Sequence, residues 1–294
     1  MSSNVYALAF GAYLLFSIAD ACIKAVGARL GVFEIAFSMN LVAIAVIVVV
    51  SRDGEHWRNF WKTPQPFRVL GRAACGLVSG IGSVYALSNV PLVDVYALLF
   101  LSPFFVTIMS MAILRERVGM RRWVAVAIGF AGVLLTVRPG FRELDLGHLA
   151  ALAAGLGTGC SIIIMRSLDP AVRRTSVLGT LFACALAMNL TMILVVGFKL
   201  PDLRELAILV VAGITMGLGQ LALLAATRSG KASQVAPAAY SPLVWALVIG
   251  ALFFGEIPDL LAIVGTLCIV AAGLVTVFRE GVRGARPTTG RAGP

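Results

Sequence analysis

Apolar residues in this chain come in long runs, and the charged residues collect in the short stretches between them. The runs read as Val5–Val26, Phe33–Val50, Phe67–Leu87, Leu92–Leu114, Trp123–Val137, Gly147–Met165, Ser176–Val196, Leu206–Thr227, Ala232–Phe254 and Asp259–Phe278. A helix rises about 1.5 Å per residue and the hydrocarbon layer is roughly 30 Å thick, so roughly 20 apolar residues make a spanning helix. The pattern therefore predicts an all-α integral membrane protein with ten transmembrane helices. These spans and their connections use nearly all of the 294 residues and leave no room for a soluble catalytic domain. The last stretch, Arg279–Pro294, is rich in Gly, Pro and Arg and is expected to be a disordered cytoplasmic tail.

Charge sets the orientation. Of the 24 Lys and Arg, 18 fall on the connections and helix ends that share a side with the N-terminus. The other six are Lys24, Arg29, Arg138, Arg142, Lys199 and Arg204. By the positive-inside bias, both termini are expected in the cytoplasm, in a bacterial-type inner membrane. The same distribution accounts for the net charge of +10 without nucleic acid. At 60% hydrophobic and 13% charged, the chain lacks the polar surface of a water-soluble fold. The first run lacks a preceding basic segment and continues into a full span, so no cleavable leader is expected.

Few features suggest reaction chemistry. Cys22, Cys75, Cys160, Cys184 and Cys268 all lie inside apolar runs without disulfide or metal spacing. His56 and His148 lie in connections, again without metal spacing. No phosphate-binding loop occurs, so neither ATP drive nor a cofactor is expected.

The chain repeats itself. Gly76, Gly80 and Gly82 of the third run recur as Gly213, Gly217 and Gly219 of the eighth, at an offset of 137. Ser102-Pro103 recurs as Ser241-Pro242, Glu116 as Glu256, and Thr136-Val137 as Thr276-Val277, at offsets of 139 to 140. A nearly constant offset across several runs signals duplication. The expected units are residues 1–140, a first five-helix repeat, and 141–278, a second. Residues 279–294 form the tail. Five is odd, so the second copy enters the membrane from the other side. Inverted repeats of this kind are characteristic of secondary transporters, which bind substrate near the midplane where the repeats meet.

These features together resemble the EamA family of the drug/metabolite transporter superfamily: ten spans in two halves, Gly-rich third and eighth spans, and a Pro then a Glu at the fourth and ninth. Members resembling this chain include amino-acid and metabolite exporters, the YddG type among them, and uptake systems for riboflavin or S-adenosylmethionine. The resemblance implies a central cavity walled by the third, fourth, eighth and ninth spans with help from the first and sixth. The first span carries Asp20 and Lys24 where many members have Trp-Ser, a pattern associated with uptake-type members.

Candidate substrate-binding residues follow. Asp20 and Lys24 are four apart on one helix face; they could line a polar wall or neutralise one another, with Lys24 reaching the interface. Tyr96, Phe100, Pro103 and Thr107 share a face of the fourth span, and Pro237, Tyr240, Ser241 and Val244 a face of the ninth. Pro103 and Pro242 are candidate hinges, since Pro in a span frees carbonyls and permits bending. Ser83 and Gln220 follow the repeated glycines, and Tyr85 lies just beyond Ser83. Gly76, Gly80, Gly213 and Gly217 read as helix-packing positions, as does Trp245. Ser161 and Met165 are weaker candidates. Glu116 and Glu256 read as loop ion pairs among the cytoplasmic arginines, and Asn189 has no assigned role.

The expected function is a secondary transporter that exports amino acids or similar metabolites by alternating access, as a single chain in the bilayer. The rival within that class is an importer of a vitamin or cofactor. An integral-membrane enzyme acting on lipid-linked substrates would need clustered acids or histidines at one interface, and a channel would need polar rings; neither pattern is evident.

Overall fold

The computed structural model describes residues 2–50, 59–115, 119–138, 143–169, 171–229 and 235–284. The helices are α1 (Ser2–Gly27), α2 (Val32–Val50), α3 (Pro66–Asn89), α4 (Leu92–Leu99), α5 (Ser102–Ala112), α6 (Met120–Val137), α7 (Leu146–Arg166), α8 (Arg174–Val196) and α9 (Leu203–Ser229). A 3-10 turn, Ala236–Tyr240, leads into α10 (Ser241–Phe254), and α11 (Leu260–Gly284) follows. Among the described residues, eight segments are long and apolar enough to cross a membrane, counting Leu92–Ala112 and Pro237–Phe254 as one each. The fifth and tenth spans hold shorter apolar helices, Trp123–Val137 and Leu260–Leu274.

Two expectations about these elements change. The fourth span is two helices, interrupted at Phe100 and Leu101. Pro103 sits in the first turn of α5, where its missing N–H costs nothing. Pro242 does the same for α10 after the 3-10 turn. The last helix also runs past Phe278 to Gly284, into the stretch whose composition suggested a tail. Residues 285–294 and Glu116 lie outside the described residues.

Packing follows an exchange rule. α1 packs along α9 and α3 along α7, while α6 packs along α11 and α2 against α8. Exchanging each of the first five spans with its counterpart among the last five maps these pairings onto each other. The repeated glycines obey the same rule. A side chain at Gly82 would come within 2.7 Å of the Ala150 carbonyl of α7, and one at Gly219 within 3.2 Å of the Ala12 carbonyl of α1. One at Gly76 would strike Leu181 of α8 at 2.6 Å, and one at Gly213 the Met39 carbonyl of α2 at 2.9 Å. Gly217 is likewise filled by α2, whereas Gly80 faces open space and is not a contact position. Small residues let helix backbones approach, which is how helices associate where lipid is as apolar as a leucine.

The tightest such approach joins α6 and α11: a Cβ on Gly132 would lie 2.6 Å from the Gly265 carbonyl and 2.9 Å from Ile269. Gly132→Val is therefore expected to destabilise the protein by about 1–3 kcal/mol through overpacking against backbone that cannot rotate away. Gly11→Val, at a position with nothing within 4 Å, should be neutral. Thermal unfolding of both variants in detergent checks the pair.

Candidate functional site

One face of α1 carries the polar groups of its span: Tyr13, Ser17, Asp20 and Lys24, spaced four, three and four residues apart. That face meets α4 through Tyr96, and α1 packs against the 3-10 turn and α10. The Ser17 hydroxyl donates to the Tyr13 carbonyl at 3.0 Å, a local bond that satisfies it within the helix. Above it, Asp20 accepts a short hydrogen bond from the Tyr96 hydroxyl of α4, and Ser17 stands beside that same hydroxyl. The first span is thereby tied to the fourth through an acid well inside the membrane.

Asp20 and Lys24 do not pair with each other. Lys24 Nζ instead lies 2.6 Å from Glu256 Oε1 and donates to the Val90 carbonyl at 2.8 Å. The other carboxylate oxygen of Glu256 accepts the Leu92 backbone N–H at 3.0 Å, one of the donors left free at the start of α4. This decides one open alternative and corrects one reading of the sequence. The acid and base on α1 do not neutralise one another, because a distant carboxylate takes the lysine. Glu256 belongs to the face opposite the one rich in arginine, because the ninth span ends on the side where the first one ends.

That face is rich in such pairs. Arg29 bonds to Asp202 and, at 2.9 Å, to Glu205; Arg138 pairs with Asp259; His148 lies 4.0 Å from Asp94. Glu34 accepts N–H groups from Gly31 and Lys199, linking α2 to the connection before α9.

Toward the basic face, the two helix interruptions meet. Phe100, where α4 ends, stacks on Tyr240, where the 3-10 turn ends, with ring centroids 5.2 Å apart at 23°. Tyr240 also lies against Gly273 of α11, whose missing side chain makes room for the ring. Tyr13 faces Tyr240 from α1. A pocket opens beside the stack on the basic-face half, lined by Phe100, Pro103, Thr107, Gly129, Tyr240 and Gly273 among others. From the basic face inward the sequence of groups is thus pocket, aromatic stack, Asp20 with Tyr96, then Lys24 with Glu256.

The structure therefore gathers Asp20, Tyr96, Phe100 and Tyr240 between the first, fourth and ninth spans, whereas Pro103 is exposed and lines the pocket with residues of the fifth and tenth. Ser241 sits at the same junction, but its hydroxyl donates to the Ala238 carbonyl at 2.7 Å and so caps the turn. Thr107 likewise donates to the Pro103 carbonyl at 2.7 Å, a bond internal to its helix. Ser83, Tyr85 and Gln220 are half-buried on α3 and α9, and among the described residues no hydrogen bond joins their side chains to the Asp20 group. Val244 and Met165 face outward and do not line it. Trp245 packs against the main apolar core. Asn189 is buried and donates to the Ala185 carbonyl, a helix-internal bond. The groups missed in sequence are Glu256, Ser17 and Tyr13. The spacing along α1 could have found the last two. No group of acids, histidines or cysteines that could hold a metal occurs among the described residues.

Tyr96→Phe keeps the ring and removes the donor that Asp20 uses. Leaving a buried acceptor unpaired costs about 1–3 kcal/mol, so a lowered unfolding temperature in detergent is expected, while Tyr6→Phe on the exposed side of α1 should be silent.

Comparison with known proteins agrees with this architecture. Residues 3–138 and 145–278 each match the model of the EamA-like transporter family. A riboflavin transporter of Rhizobium johnstonii is 29% identical over 77% of this chain and 75% of its own length. An S-adenosylmethionine uptake transporter of Rickettsia bellii is 27% identical over 94% of this chain and 96% of its own. The pseudopaline exporter CntI of Pseudomonas aeruginosa is 27% identical over 90% and 93%. One solved structure superposes with a TM-score of 0.66 at 18% identity, covering 95% of this chain and 99% of that one, and so shares the fold.

Proposed function

We propose that this chain, which belongs to the EamA-like transporter family, is an alternating-access carrier that exports amino acids or similar amine-bearing metabolites across a bacterial inner membrane. It is a multi-pass membrane transporter of small molecules, as its relatives are. The narrower reading rests chiefly on one observation. Asp20 is an acid inside a span whose hydrogen-bond partner is a tyrosine hydroxyl and whose neighbouring lysine is engaged elsewhere. A carboxylate within the bilayer is costly without a cation or a proton, so such acids mark substrate or ion pathways.

An ammonium group fits that seat. Aromatic faces at Tyr96, Phe100 and Tyr240 suit the remainder of a small organic cation or zwitterion. The fourth and ninth spans contribute no Lys or Arg that would hold an anion. The halves 1–140 and 141–278 would rock about this seat, with the interruptions before Ser102 and Ser241 as hinges. The distribution of Lys and Arg supports both termini in the cytoplasm.

A second reading has its own support. Similarity to an S-adenosylmethionine uptake transporter spans nearly the whole chain, and that molecule carries both a sulfonium and an ammonium cation suited to the same carboxylate. Counterflow in proteoliposomes separates the two. Saturable exchange of labelled neutral or basic amino acids supports the first; exchange of S-adenosylmethionine alone supports the second. Asp20→Asn is expected to reduce exchange of whichever substrate is found by about tenfold or more, because the substrate's ammonium then faces a neutral amide in place of a carboxylate. Exchange equal to the wild-type rate with equal expression would remove Asp20 from the site.

A further inference from the structure

We propose that Lys24 is an exchangeable cation that works the gate on the face opposite the basic one. Bound to Glu256, it holds that face shut; released, it turns to Asp20 and displaces the substrate's ammonium group. The proposal rests on the carrier reading above and adds to it the gate and the release step.

The structure holds the shut state. A single carboxylate, Glu256, joins three elements: α1 through Lys24, the start of α4 through the Leu92 N–H, and the end of the ninth span to which it belongs. Lys24 adds the Val90 carbonyl between α3 and α4. Its ammonium lies 5.5 Å from the Phe254 ring centroid, a further contact with the ninth span. The two side chains are 13% and 19% exposed, so water screens the pair weakly. Several other charges of this face have partners of their own: Arg29 with Asp202 and Glu205, Arg138 with Asp259, and Asp94 within reach of His148.

Opening this face requires the ninth span's end to leave α1 and α4, and Glu256 leaves with it. Lys24 then holds a charge in a poorly hydrated place, and breaking such a pair by removing one partner is strongly unfavourable. Its nearest acid on α1 is Asp20, four residues earlier on the same face, in the sequence order that favours the pair. Asp20 can hold one ammonium at a time with good geometry. Lys24 arriving there expels the substrate's ammonium toward the face that has just opened. No charge is created or destroyed: Lys24 exchanges one carboxylate for another, and the substrate leaves with the charge it brought. When the face closes, Glu256 recovers Lys24 and Asp20 is again available from the basic face.

The test uses the full chain in proteoliposomes, with the five native cysteines replaced and spin labels at Asn89 and Ile257. Both positions are exposed, and they lie on the two sides of the Glu256 bridge. Pulsed electron–electron resonance reads their separation. Glu256→Gln is expected to shift the distance distribution to longer values, and Lys24→Gln, which breaks the bridge from the other side, to do the same. Adding Asp20→Asn to Glu256→Gln removes the acceptor that the open state uses, and should return the distribution toward the short distance. Unchanged distances in both single variants would overturn the gate. A lengthening that Asp20→Asn fails to reverse would overturn the exchange. If no amino acid or S-adenosylmethionine undergoes counterflow, the carrier reading fails, while the distances still decide whether Lys24 moves between the two acids.

Discussion

A charged side chain within a bilayer must find its partner inside the protein, because the lipid offers none. In this chain that constraint converges on Lys24. Its ammonium could have been satisfied locally by Asp20, yet it reaches Glu256 and the Val90 carbonyl instead. One side chain thus connects the end of the first span, the turn between the third and fourth, and the end of the ninth. The arrangement leaves Asp20 to Tyr96, and so leaves an acid where the helix interruptions meet. Had the local pair formed, the centre of the membrane would hold a neutralised salt bridge and the opposite face would lose its bridge.

The glycine contacts set how closely the spans can come and therefore where those side chains land. Gly219 admits Phe16 and the Ala12 carbonyl, which fixes α1 against α9, while the polar face of α1 meets α4 through Tyr96. Gly82 does the equivalent for α7 against α3. At Gly273 the missing side chain makes the space that the Tyr240 ring occupies, so the aromatic stack depends on a residue of the tenth span that carries no chemistry of its own.

Much of this was legible in the sequence. Most of the spans follow from run length, the fifth and tenth being shorter apolar helices, and the duplication from glycines at a constant offset. The Ser-Pro pairs marked the interruptions within a few residues, because proline belongs at the first turn of a helix and cannot sit inside one without losing a bond. What was not legible depends on separation. Glu256 bonds a residue 164 positions away, and nothing in the local pattern at either end announces it. The Asp20–Lys24 spacing left a mutual pair and a polar wall both open, because four-residue spacing puts both on one helix face and says nothing of a tertiary partner such as Glu256. Gly80 shows the opposite error: a position in a repeated motif that has no contact to make.

The two faces of the molecule are built differently, and that difference carries the mechanism. The face bearing Lys24 is fastened by ion pairs and backbone bonds between connections, several of them linking residues more than a hundred positions apart. The half nearer the basic face holds a pocket beside the Phe100–Tyr240 stack, where contact is by ring faces. Ring contacts can slide with small changes in energy, whereas a shielded ion pair must be replaced by another partner when it breaks. A carrier with this construction keeps its pocket side easily adjusted to substrates of different shape. In the proposed exchange its all-or-none step is concentrated at the ionic face, where α1 supplies both the cation that fastens the ninth span and the acid that can take over from Glu256.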